Sequence, residues 1–159
     1  MYNTDMTIRP INMNDRPLVE DFFAVMGEYS SSFFNVNRGN EKRILKFFDG
    51  TLENHVVWIA TKEVEGKELM VGLVFLYHAH LLVPELGIAV RDGYHGQHIG
   101  TDMINFVKDY THKTGCGGMT LITAQTNFKG QRLYEHCGFQ RQGVHTSGEF
   151  YYTLFYERG

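Results

Sequence analysis

Cysteine and proline are scarce in this chain: Cys116 and Cys137 are its two thiols, and it has three prolines in 159 residues. Two cysteines make no disulfide framework and fit a reducing compartment, so the expected location is cytoplasmic. Positive charge is not in surplus either, with 15 Lys and Arg against 18 Asp and Glu. Nucleic acid is therefore not an expected partner, because its binders carry a clear basic excess. Long hydrophobic runs are missing as well. The longest, Leu69 to Leu76, is interrupted by Gly72 and falls far short of the roughly 20 residues a membrane span needs. Met1 to Pro10 lacks the charged-then-apolar pattern of a secretion signal. With about 150 residues per domain as the prior, residues 1–159 read as one domain able to bury a core without disulfides or structural metal. Glycine, by contrast, is plentiful at 17, and its placement carries most of the information.

Thr7-Ile8-Arg9 reads as a first strand ended by Pro10. Asn14 or Asp15 can cap a helix that tolerates Pro17 in its first turn, with Leu18, Phe22, Val25 and Tyr29 as its apolar stripe. Ser30 to Gly39 reads as an irregular loop, and Glu41 to Phe48 as a second helix closed by Gly50. His55 to Thr61 and Leu69 to Tyr77 form a hairpin around the polar turn at residues 65–67. A strand Leu86 to Val90, a helix Gly100 to Lys113 with Met103, Val107 and Tyr110 on one face, and a strand Met119 to Ala124 follow. Asn127 caps a short helix to His136, ended by Gly138, and two more strands lie near Val144 and over Glu149 to Glu157. The order β-α-α-β-β-β-α-β-α-β-β implies an α+β (α/β-like) fold: a mixed sheet of about seven strands with helices on both faces. The last strand, rich in aromatics, suits either core or an exposed edge through which a homodimer could pair.

Between the strand Leu86 to Val90 and the next helix lies Arg91-Asp92-Gly93-Tyr94-His95-Gly96-Gln97-His98-Ile99-Gly100. A glycine-bearing loop that opens onto a helix N-terminus offers free N–H groups to phosphate oxygens, although a plain tight connection has the same glycines. No Gly-Lys-Ser/Thr follows, and G-x-G-x-x-G is not matched. Tyr94, Gly96, Ile99 and Gly100 resemble the acetyl-CoA pyrophosphate loop of the GNAT superfamily of N-acetyltransferases, with His95 in place of the usual Arg or Gln and His98 in place of a usual Gly. Asn127, Leu133, Tyr134, Gly138 and Phe139 are similar to that family's second signature, with Gly130 where Ala is usual. Ile8-Arg9-Pro10 followed by Asp15 looks like its opening. The likeness runs over roughly Thr7 to Tyr156.

The resemblance implies a mostly antiparallel sheet and transfer of an acetyl group from acetyl-CoA to an amine acceptor, without a metal. It implies that the backbone of Ile88, Ala89 and Val90 holds the pantetheine arm, and that His95, Gly96, Gln97, His98, Ile99, Gly100 and Thr101 receive the pyrophosphate. Asn127, Gly130 and Arg132 complete the cofactor side, with Lys129 beside them. Tyr134 is the candidate acid for the leaving thiolate, a phenol of suitable basicity; a half-buried helix aromatic is the plainer reading. Glu85 is the candidate base, directly or through water, against a solvated strand-end carboxylate, with Tyr77 and His80 as rivals. A His78-x-His80 pair has metal-ligand spacing, but no supporting Cys or carboxylate cluster. Acceptor choice is expected from Glu28 to Gly39 and Val144 to Phe150. Glu20, Asp21, Glu28 and Glu53 suit a cationic amine, though any solvated helix carries such residues. The resemblance to stand-alone members implies a small-molecule amine over the alternative of a protein N-terminus or lysine. The readings outside this class of enzyme are a non-catalytic acyl-CoA-binding domain and a metal-dependent protein.

Overall fold

A computed structural model of the chain describes residues 5–34 and 39–157. Seven strands form one sheet in the order β1-β2-β3-β4-β5-β7-β6. They are β1 (Met6–Pro10), β2 (His55–Val64), β3 (Lys67–Tyr77), β4 (Glu85–Val90), β5 (Gly118–Thr123), β6 (Gln140–Val144) and β7 (Phe150–Phe155). All neighbours run antiparallel except β4 and β5, which are parallel. The mixed, mostly antiparallel architecture is the expected one. The edges, however, are β1 and β6. β7 lies between β5 and β6, so pairing of two copies through the aromatic strand is closed off by its own neighbours.

The β2–β3 hairpin turns on Glu65 and Gly66, both with positive φ (52° and 78°), the two-residue geometry that matches strand twist. Strand alternation then assigns the faces. Val57, Ile59, Leu73 and Phe75 face α1 (Arg16–Ala24), α2 (Glu28–Phe34) and α3 (Asn40–Leu45), and bury Val19, Phe22, Phe34 and Ile44. Trp58, Val74, Leu76 and Leu86 face the other way, onto Met103, Ile104 and Val107 of α4 (Ile99–Lys113) and Tyr134 of α5 (Phe128–His136). Gly72, which interrupts the long apolar run, is where α4 sits down on β3: a Cβ there would lie 2.7 Å from the Met103 sulfur.

The first helical region departs from expectation. One helix carrying Leu18, Phe22, Val25 and Tyr29 was the sequence reading; the chain instead stops α1 at Ala24 and restarts α2 at Glu28. The buried residues are Val19, Phe22 and Phe23, while Val25 and Tyr29 are 45% and 60% exposed. The break has a tertiary cause. The Asp92 carboxylate accepts from the Gly27 N–H (2.5 Å) and from the Ser30 hydroxyl (2.6 Å), which pins the junction to the end of β4. Part of the expected loop Ser30 to Gly39 is thus helical, and its residues 35–38 lie outside the described residues. Near the start, Asp15 is buried against Arg9 in a two-pronged ion pair (2.7 and 2.8 Å). Burial alone would raise its carboxyl, but the Arg9 bonds and the Asn12 N–H outweigh that and hold it below the usual carboxylate range.

Candidate active site

β4 and β5 share a single register pair, Glu85 with Thr120. Behind it the Gly117 N–H bonds the Leu82 carbonyl (2.8 Å) and the Thr120 N–H bonds the Pro84 carbonyl (3.0 Å). Beyond it the strands part. β4 continues to pair with β3, and β5 with β7, so each turns an unladdered edge toward the gap. A cavity of about 410 Å³ fills it, walled by Leu86 to Val90 on one side and Leu121 to Thr123 on the other. Ile88, Ala89 and Val90 belong to that wall.

At the far end of β4, Gly93, Gly96 and His98 all adopt left-handed backbone (φ 88°, 82° and 64°). This explains why glycine is the usual residue at the last position: His98 is forced into a region that costs an L-residue energy, though His tolerates it better than most. His98 precedes α4 without a side-chain cap, and the first bond of the helix runs from the Asp102 N–H to the His98 carbonyl. The amides of Ile99, Gly100 and Thr101 thus precede the helical ladder and, with the helix dipole, make an anion-receiving end. His95 lines the cavity; Gly96, Gln97, His98, Ile99, Gly100 and Thr101 lie just past it, outside the lining. A Cβ on Gly100 would come within 2.9 Å of the Leu133 side chain, so glycine lets α4 approach α5 closely there.

The second signature folds as a wall of the same cavity. Asn127 caps α5, its side-chain oxygen accepting from the Gly130 N–H (3.2 Å) and its amide donating to the Thr123 hydroxyl (3.0 Å). It fills the space that a Cβ at Gly130 would take, 2.4 Å from the Asn127 amide nitrogen. Tyr134 is 9% exposed, lines the cavity, and stands edge-on to Phe139 and Tyr152 at 6.3 and 6.2 Å. Tyr152 donates to the Glu135 carboxylate (2.7 Å). Burial, then that carboxylate, pushes its phenol up to about 12. Cys137 is buried and its thiol raised by desolvation, which fits a packed thiol.

Other expected residues fall elsewhere. Glu85 sits at the closed end of the seam, on the α1–α3 face, in register with Tyr77 and Thr120 and outside the cavity lining. Tyr77 is stacked between His55 (4.7 Å) and His78 (3.7 Å) with Arg43 over its ring (4.8 Å). His80 lines a separate cavity with Leu76 and Cys116. Arg132 is exposed and outside the lining, whereas Lys129 belongs to it. Among the described residues, no cluster of three or more His, Cys, Asp or Glu could hold a metal ion, and no helix is long and apolar enough to cross a membrane. Of the expected acceptor regions, α2 lines the cavity and Val144 to Phe150 does not. Glu20, Asp21, Glu28 and Glu53 do not line it either; Asp21 pairs with Arg91 (3.0 Å) and Glu20 with Arg16 (3.3 Å). Asp92 went unrecognised because its partners are more than sixty positions away in sequence.

The chain thus combines a cleft between parting parallel strands with an anion-receiving helix N-terminus just past it. Residues 22–139 match the model of the Acetyltransferase (GNAT) family, and the chain belongs to that family. No curated protein matches it in sequence. Among solved structures it is similar to a domain from Methanocaldococcus jannaschii, with TM-score 0.78 and 22% identity over 95% of this chain and 98% of that one. The ribosomal-protein-S5-alanine acetyltransferase of Vibrio fischeri gives 0.75 and 13% over 98% and 95%. The spermidine N-acetyltransferase of Vibrio cholerae, solved with CoA and spermine, gives 0.71 and 18% over 95% and 94%. At these identities the likeness is one of fold.

Proposed function

We propose that residues 1–159 form one N-acetyltransferase unit that passes the acetyl group of acetyl-CoA to a primary amine by direct attack in a ternary complex. When bound, acetyl-CoA supplies the acetyl group as a reactive thioester. The observation that carries the reading is that β4 and β5 part after Glu85 while Tyr134 stands in the gap. The unladdered edge at Ile88 to Val90 binds an extended ligand as a missing strand would be bound. His95 to Thr101 receive phosphate oxygens through backbone amides. Tyr134 delivers its proton to the sulfur as the C–S bond breaks and the C–N bond forms. Glu85 takes the proton of the amine through intervening water, since it lies outside the cavity lining. The proton lost by nitrogen balances the one gained by sulfur once Tyr134 is reprotonated.

Fold alone does not choose an acceptor: of the two named neighbours, one acts on a ribosomal protein and the other on spermidine. The cavity volume falls in the range of small-molecule sites, which favours a small amine. The position of Glu85 also supports a second reading, a non-catalytic acyl-CoA-binding domain. Release of free thiol from acetyl-CoA over a panel of amines separates the two. Turnover that falls in Tyr134→Phe supports the enzyme; saturable binding without turnover on any amine supports the rival.

A further inference from the structure

The cavity has two chemically different walls. On the α5 side stand Asn127, Lys129 and Tyr134; on the α2 side stand Met26, Tyr29, Phe33 and Phe34. Tyr29 and Phe33 meet edge-to-face at 4.9 Å. Phe34 is buried and rests edge-on against Phe75 at 6.3 Å, with the Asn40 side chain holding its carbonyl (2.7 Å). The α2 wall is therefore an aromatic surface with an outer ring, Tyr29, that is 60% exposed although it lines a cavity. Exposed aromatic area at a concave site is area available to a ligand.

Charge points the same way. Asp92 is the one carboxylate among the described residues that lines the cavity. Both of its oxygens already accept hydrogen bonds, from Gly27 and Ser30. A polyamine brings several ammonium groups into such a site and finds a single carboxylate, already engaged by two donors, for all of them, while it gives up water that solvated each. A single amine that becomes neutral before it attacks needs none.

We infer that the acceptor is a monoamine carried on an apolar body about the size of an aromatic ring, seated on Tyr29 and Phe33, and that polycations are discriminated against. This rests on the proposed acetyl transfer for its chemistry, but the binding surface can be tested apart from it. Thiol release is measured with phenethylamine and with spermidine. Calorimetry separately measures phenethylamine binding to the protein saturated with coenzyme A, and acetyl-CoA binding alone. The expected result is a kcat/KM for phenethylamine about tenfold or more above that for spermidine. Tyr29→Ala and Phe33→Ala should each weaken phenethylamine about tenfold in KM or Kd, leave acetyl-CoA affinity and Tm unchanged, and be rescued by Tyr29→Phe and Phe33→Leu. Phe33→Glu should shift preference toward spermidine. If phenethylamine binds in this way yet nothing turns over, acetyl transfer fails and the binding surface stands. If spermidine is the better acceptor, or phenethylamine neither binds nor reacts, the inference is overturned whatever acetyl-CoA does.

Discussion

The seam between β4 and β5 is built in opposite ways at its two ends. At Glu85 and Thr120 the strands are in register, with bonds from Gly117 to Leu82 and from Thr120 to Pro84 behind them. By Val90 they share no partner, and a cavity separates them. An unsatisfied buried backbone group costs about 1–3 kcal/mol, so the open end persists only where water or a ligand replaces the missing strand. The same pair of strands is therefore scaffold at one end and binding edge at the other.

The comparison breaks most severely if the closed end is opened. Thr120→Pro removes the N–H that bonds Pro84 and should cost about 3 kcal/mol or more, read as a loss of Tm or of soluble protein; an unchanged melt would mean the stitch is idle. At the open end, Tyr134→Phe keeps the ring and should lower kcat by about a hundredfold, the low end for a lost general acid, with the far-UV spectrum intact. Wild-type kcat in that variant would remove Tyr134 from the chemistry. Gly87→Ala places a methyl 2.1 Å from the Phe75 ring in the cavity wall itself, an overpacking expected to cost about 1–3 kcal/mol in chemical denaturation. His98→Gly should raise stability by about 0.5–1 kcal/mol, because relief of the left-handed strain exceeds the added chain entropy; destabilisation instead would show that the imidazole contributes more than its backbone costs.

The smallest expected change comes with pH. His55, at the closed side, donates from Nδ1 to the Glu53 carbonyl (2.6 Å) while its Nε2 is buried without a partner. Burial first, then Arg43 and His78, lower its pKa. The unfolded chain then binds the proton more readily, so stability is full above about pH 6.5 and falls as pH drops through that value toward the lower folded pKa. Asp15, also lowered, loses its contribution only in a more acid window, below about pH 3.9. Denaturant midpoints for wild type and His55→Gln between pH 8 and 5 check the first step, which the variant should lack.

Much of this fold is written in local signals. Glu65-Gly66 specifies its hairpin by positive φ, Gly50 ends the 3-10 turn after α3 with φ 73°, and Asn127 caps α5 as its position suggests. Met103 and Val107 mark the buried face of α4 because that helix packs along one unbroken stripe. The misreadings arise where distant residues decide. The stripe through Val25 and Tyr29 is helical in period, yet Asp92 captures Gly27 and splits the helix. The edge alternative for β7 stays open in the sequence because its outer partner, Gln140–Val144, is wholly exposed and carries no core pattern. Local geometry follows the sequence where a residue type meets a backbone or packing demand, as at Gly96 with its positive φ, Gly100 against Leu133 and the cap Asn127. The separation of Glu85 from the cavity lining is not written locally, because it depends on where the strands part. Nor is the α2 wall, which forms only once Asp92 has set the junction before it.

One consequence of the single register pair is mechanical. Residues 6–90 supply β1 to β4 and residues 118–155 supply β5 to β7, so the sheet consists of two plates, each paired within its own stretch of chain. They meet through strand pairing at Glu85 and Thr120 alone. The cleft therefore opens without interrupting any other ladder, and the core under α4, with Trp58 and Leu86 from one plate and Met119 and Leu121 from the other, holds the two together. The joint that stops the strands from separating altogether is thereby also the apex from which the site widens toward Val90.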